Sequence, residues 1–184
     1  MSNAITSDLS GTYTIDPAHS RIGFVARHAM ITKVRGSFNE FSGTAVVDAE
    51  EPSKSSVQVA IQVGSVDTRN ADRDGHLRTN DFLDIATYPE ITFVSTAAEL
   101  KDEDTVALTG DLTIKGTTKS VTIDFDYEGS ATDPFGNKRL GFEGKHTINR
   151  QDFGITWNAT LETGGVLVGD KIVLELELSL IKNA

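Results

Sequence analysis

A chain of 184 residues with a 38% apolar share suits one domain with a substantial core, and sixteen glycines and four prolines are not a disordered composition. The absence of cysteine excludes disulfides, thiolate metal sites and thiol nucleophiles. The net charge of -10 repels nucleic acid phosphates and anionic membranes at long range, which makes nucleic acid a poor partner.

No apolar run approaches the roughly 20 residues of a spanning helix, so an integral membrane protein is not expected. The opening MSNAITSDLSG has neither a basic start nor an apolar stretch and does not read as a signal peptide. A cytoplasmic location is expected as the sequence stands, and a periplasmic or exported one if a leader has been removed. Residues 1–10 read as a flexible leader, and 11–184 as a single domain.

A first short strand is expected over Gly11–Ile15, turned by Asp16, Pro17 and Ala18. From Ser20 to His28 the alternation places Ile22, Phe24, Ala26 and His28 on one face. A second strand starts near Lys33 with Val34, Gly36 and Phe38, and is expected to run on through Phe41 and Gly43 to Val47, the glycines marking bends. After a turn at Pro52, Val57, Val59, Ile61 and Val63 alternate with polar residues.

Arg73–Phe93 then breaks the pattern. It reads as a short helix, a loop closed by Pro89, and a strand entering at Ile91. Beyond it, Val106–Ile114, Val121–Tyr127, Leu140–Ile148 and Ile172–Leu180 alternate again, with a hairpin connection over Thr132–Arg139. Trp157–Thr163 alternates only weakly.

The reading is all-β, with about eight mainly antiparallel strands and one short helix near one end. A sandwich and an up-and-down barrel both cover an apolar sheet face. Long strands, bend glycines and a lone helix favour an eight-stranded antiparallel β-barrel, which can be filled by side chains or hold one small ligand.

Histidines 19, 28, 76 and 146 lack metal-ligand spacing, and no nucleophile elbow, P-loop or dinucleotide fingerprint is present, so no metal and no cofactor are expected. His28 and His146 fall on apolar strand faces, where a polar group needs a partner: another side chain, water or a ligand head group. The arginines near the first turn and the Arg73–Phe93 segment either converge on an anion or pair with neighbouring carboxylates.

Four blocks resemble the YceI-like family in order. They are Asp16-Pro17-Ala18-His19-Ser20 with Phe24, His28 and Gly36-Ser37-Phe38; Asp74 to Asp84 followed by Tyr88-Pro89-Glu90-Ile91-Thr92-Phe93; Gly110 to Lys119; and Ile148 to Ile155. The resemblance spans about residues 11–182. It implies a lipocalin-like barrel with a helix near one end and an elongated apolar interior.

Characterised relatives of this kind bind polyisoprenoids, including isoprenoid quinones or pyrophosphates, or other long-chain lipids. Many are exported to the periplasm, and some are paired with membrane cytochromes. The expected role is therefore non-catalytic binding, storage or transport of a long-chain isoprenoid or related lipid. Phe24, Phe38, Phe93, Leu112, Phe125, Phe142 and Leu176 are expected to line the cavity, with His28, Arg35, Arg78, His146 and Arg150 near a head group. Two other readings stay open: a lipid-modifying isomerase or hydrolase using His28 with a carboxylate, and a filled structural or stress-related barrel. A homodimer through outward apolar residues such as Val25 is compatible with the pattern.

Overall fold

The computed structural model describes residues 6–162 and 164–184. Eleven strands follow in chain order: β1 (Gly11–Ile15), β2 (Arg21–His28), β3 (Thr32–Phe38), β4 (Phe41–Val47), β5 (Ser56–Gln62), β6 (Val66–Asp67), β7 (Glu90–Leu100), β8 (Thr105–Ile114), β9 (Thr117–Thr132), β10 (Lys138–Asn149) and β11 (Lys171–Lys182). The helix α1 (Ala71–Leu77) lies between β6 and β7.

Eleven strands make eight staves because three staves are broken. β1 and β2 run successively along β11, pairing Ile15↔Leu180 and Glu177↔Arg21. β3 and β4 run along β2 and β1 in the same way, and β5 with β6 forms the third broken stave. The remaining staves are β7 to β11, each antiparallel to the one before, and β11 returns to β1 and β2 to close the ring. The result is a closed eight-stave antiparallel barrel.

The breaks have local causes. Asp16 caps a 3-10 turn over Pro17–His19, accepting from the Ala18 N–H at 3.0 Å, and proline's missing donor ends the β1 ladder there. The strand expected from Lys33 to Val47 divides at Asn39-Glu40, where β3 leaves β6 and β4 takes up β5. The expected helix begins slightly earlier than Arg73, because Asn70 accepts from the Arg73 N–H at 3.0 Å and so sets the N-cap.

Residues 1–5 of the expected leader lie outside the described residues. Ser7–Leu9 form a 3-10 turn, and Leu9 is buried with its carbonyl accepting from the Tyr13 hydroxyl at 2.7 Å. Thr163, at the end of the weakly alternating stretch, is also outside the description; the residues before it form an irregular segment bridged at Thr160↔Val166.

Side chains alternate in and out along each stave. On β9 the inward Ile123, Phe125 and Tyr127 are buried, while Thr122, Asp124, Asp126 and Glu128 are exposed. The outer face is thus polar and the apolar face lines the lumen. Among the described residues, no helix is long and apolar enough to cross a membrane.

The turns at 29–31 and 115–116, helix α1 and the segment 150–170 gather at one end of the barrel, called here the helix end. The turns at 48–55, 101–104 and 133–137 gather at the opposite end.

Candidate functional site

The barrel is hollow. A cavity of about 430 Å³, within the range of small-molecule pockets, runs from Leu77, Phe82 and Phe153 at the helix end to Pro52, Leu100 and Val106 at the other. Its wall is almost wholly apolar.

Glycine explains why so many phenylalanines leave the lumen open. Phe24 on β2 stands directly opposite Gly36 on β3, and a Cβ at Gly36 would lie 2.4 Å from the Phe24 ring. Phe125 pairs with Gly144, where a Cβ would come within 2.8 Å of the ring. Each ring therefore occupies the space that a side chain would fill on the next strand, which only glycine leaves free. Phe24 also packs on Phe38 at 5.6 Å, and Phe142 on Tyr127 at 5.3 Å.

All seven residues expected to line the interior, Phe24, Phe38, Phe93, Leu112, Phe125, Phe142 and Leu176, border this cavity. Leu108 and Ile114 join them on the phase of Leu112. Ala49, Pro52, Leu77 and Leu83 also border it from turns or the helical segment, where period-two alternation gives no signal.

The helix end is capped. Phe82 and Trp157 pack with ring centroids 5.3 Å apart, and His76 meets both edge-on at 4.9 and 4.7 Å. Asp74 is buried and accepts from the Thr68 N–H at 2.9 Å and from its hydroxyl, tying α1 to the end of β6.

At the opposite end the wall opens. β5 pairs β7 only from Gln58↔Val94 to Gln62↔Glu90, and β7 bulges between Ser95 and Ala97. Its outer half keeps β8 and packs beside the 52–54 turn without a ladder to it. Val46 and Leu100 border the cavity there and are 46% and 44% exposed, so this is its mouth. Asp48, Ser55 and Glu103 are the polar residues at that rim.

The five polar residues expected near a head group separate. Arg150 borders the cavity but is 3% exposed and donates to the carbonyls of Ile155 (2.7 Å), Trp157 (2.9 Å), Gly169 (3.0 Å) and Val168 (3.3 Å). It holds the 155–169 segment over the helix end, with Asp170 at 3.5 Å. Burial lowers its pKa from the usual guanidinium value. Arg78 donates to the Gly64 carbonyl at 3.0 Å and does not border the cavity. His146 shares the inward phase of β10, half-buried beyond the point where β9 leaves β10 at Gly144↔Phe125, and lies off the cavity wall.

His28 and Arg35 do come together. With Thr32, Lys33, Val34, Thr68, Arg69 and Arg73 they line a shallow groove outside the helix end. Strand phase predicts burial for His28, but β2 carries it past the capped lumen, so it is exposed. Among the described residues it makes no hydrogen bond to a carboxylate, and no group of three or more His, Asp or Glu gathers in metal-binding geometry.

Comparison with known proteins agrees with this architecture. Residues 13–180 match the YceI-like domain. Protein YceI of Escherichia coli O157:H7 is 42% identical over 151 residues, covering 81% of this chain and 78% of that protein. The crystal structure of Burkholderia cenocepacia BcnA has a TM-score of 0.79 at 27% identity, covering 90% of this chain and 98% of that one. A polyisoprenoid binding domain from Saccharophagus degradans, implicated in plant cell wall breakdown, has a TM-score of 0.70 at 15% identity over 93% of this chain and 98% of that one, a likeness of fold.

Proposed function

Because the chain belongs to the YceI-like family, we propose that it binds a long-chain isoprenoid or related lipid, for storage or transport, without catalysing a reaction on it. The observation that carries this reading is the apolar lumen kept open by phenylalanines in the space that glycines leave free. A fold shared with a polyisoprenoid binding domain supports the choice of ligand class.

The driving force is burial. Each methylene taken from water contributes about 0.8 kcal/mol, so a five-carbon isoprenoid unit contributes about 4 kcal/mol before ordering costs. Methyl-branched units suit a wall of Phe, Leu and Ile that offers no polar partner along most of its length. The head group is assigned to the open mouth, because the groove of His28 and Arg35 lies outside the capped end of the lumen and shares no lining residue with it. Acidic Asp48 at that rim favours a neutral head such as a quinone over a phosphate.

Native mass spectrometry of the purified protein, followed by organic extraction, tests the proposal. A stoichiometric prenyl species is the expected result. A different bound lipid would keep the carrier role and discard the isoprenoid. A ligand-free mass, with no binding of added quinone or polyprenyl phosphate, would overturn the reading.

A further inference from the structure

The β2–β3 hairpin has features that lipid retention in the lumen does not use. Its tip, Ala29-Met30-Ile31, exposes Met30 by 57% and Ile31 by 78%. Ala29 and Met30 have φ of 51° and 64°, consecutive left-handed positions that hairpins usually give to Asn or Gly. The tip therefore carries backbone strain in order to present two large apolar side chains to solvent.

Behind the tip the charges are of one sign. Arg27 stands directly opposite Lys33 across the two strands, a like-charge pair that destabilises the hairpin, and Val25 stands opposite Arg35. β3 pairs β6 only at Ser37 and Phe38, so its outer half has an open edge, with Arg69 and Arg73 across the groove. Among the described residues none of these five cations forms a salt bridge with a carboxylate; Arg73 instead donates to the Thr68 hydroxyl and carbonyl, both at 2.7 Å. No carboxylate lines the groove, although Asp67 and Asp72 lie beside it. In a chain of net charge -10 this is a local reversal of sign.

We propose that the β2–β3 hairpin docks this protein on an anionic bilayer, Met30 and Ile31 entering the interface and Arg27, Lys33, Arg35 and Arg69 meeting the lipid phosphates. An apolar tip ringed by cations is the chemistry of interfacial lipid binding, and anionic head groups relieve the Arg27–Lys33 repulsion. The acidic turns at the opposite end lie a full stave away, several Debye lengths at physiological salt. The carboxylates of the docking end, Asp72, Asp81, Asp84, Asp152 and Asp170, lie on α1, the loop after it and the 150–170 segment and not on the hairpin, with Asp81 bonded to His76 and Asp170 beside Arg150. Docking turns the capped end of the lumen toward the membrane, where Ala26 on the cavity wall pairs with Val34 on the groove wall.

The proposal adds membrane attachment to the lipid-carrier reading, with the mouth turned away from the bilayer, and is tested independently of it. Lipid-stripped protein is floated with phosphatidylcholine vesicles with and without phosphatidylglycerol, neither containing an isoprenoid. Binding is expected only to the anionic vesicles and is lost in high salt. The triple variant Arg27→Gln, Lys33→Gln, Arg35→Gln should weaken it by about a hundredfold, at about fivefold per charge. The double variant Met30→Ser, Ile31→Ser should weaken it by roughly tenfold. All of these side chains are exposed and a thermal melt verifies folding. Failure of the parent protein to bind anionic vesicles at low salt, or undiminished binding by either folded variant, would overturn the proposal. So would a dimer in sedimentation velocity that the tip variant dissolves while no form binds vesicles, which would assign the tip to a second copy of the chain. Retention of a lipid in the lumen, read by mass spectrometry, is unaffected by any of these outcomes.

Discussion

At the helix end of the barrel the polar groups next to the lumen are consumed by the backbone: Arg150 serves four carbonyls and Asp74 serves the amide and hydroxyl of Thr68. At the opposite end the ladder between β5 and β7 stops at Gln58↔Val94, and Asp48, Ser55 and Glu103 border an open mouth. A cation beside a cavity is therefore not a sign of a ligand there. The arginine at the lumen, Arg150, is a clamp, while among the described residues the groove outside carries Arg27, Lys33, Arg35, Arg69 and Arg73 without a salt bridge.

The sharpest way to break this contrast is Arg150→Ala. It leaves several buried carbonyls without a donor and is expected to cost about 3–5 kcal/mol, read as a lower denaturant midpoint. If Arg150 were a head-group ligand instead of a clamp, stability would hold and only lipid affinity would fall.

Next in size is Phe142→Asp, which puts a charge on the apolar wall. Lipid retention should fall by a hundredfold or more in extraction assays, equivalent to about 2.7 kcal/mol. A folded variant that retains lipid normally would remove this position from the binding wall.

Gly36→Ala is subtler. The new methyl displaces the Phe24 ring toward the lumen and crowds buried Thr68, so a bulky prenyl ligand should bind about tenfold more weakly, about 1.4 kcal/mol, with a folding cost of about 1–3 kcal/mol. Equal affinity in a titration would mean that the ring finds room elsewhere.

The smallest effect expected is an acid one at the mouth end. Arg139 bonds Asp16 at 2.8 Å and Asp133 at 2.9 Å. Arg139 is the main cause that holds the Asp16 carboxyl below its usual range, while for Asp133 the Asn137 backbone N–H comes first. Folded-state pKa values that are depressed give stability that is complete above the ordinary carboxylate pKa and is lost as pH falls through the folded values. Urea midpoints should therefore drop below about pH 4, and Arg139→Gln should flatten that drop. An unchanged slope would show that other carboxylates dominate acid unfolding.

Much of this was legible in the chain because two residues make the period of a strand. The phases of Phe24, Phe93, Phe125 and Leu176 placed each on the lumen side from alternation alone. Whether the lumen was filled was not legible from apolar periodicity. The relevant signal was the glycine opposite each phenylalanine, which needs the register Phe24↔Gly36 or Phe125↔Gly144 before it can be seen. His28 illustrates another limit: phase says which side of a strand a residue takes, not whether the strand still has a barrel beneath it. Arg150 was illegible because its partners are carbonyls of an irregular segment, and a carbonyl has no signature in sequence.

The ring is sealed by its first and last strands, with Ile15 beside Leu180 and Arg21 beside Glu177. Every other seam joins staves that are neighbours in sequence, so those can zip locally while the final seam waits for a loop of most of the chain to close. An unsealed barrel bares two strand edges along its full length, a template for pairing with other molecules. Refolding should therefore be concentration-sensitive until β11 reaches β1, and a chain shortened before β11 should aggregate rather than form a smaller barrel.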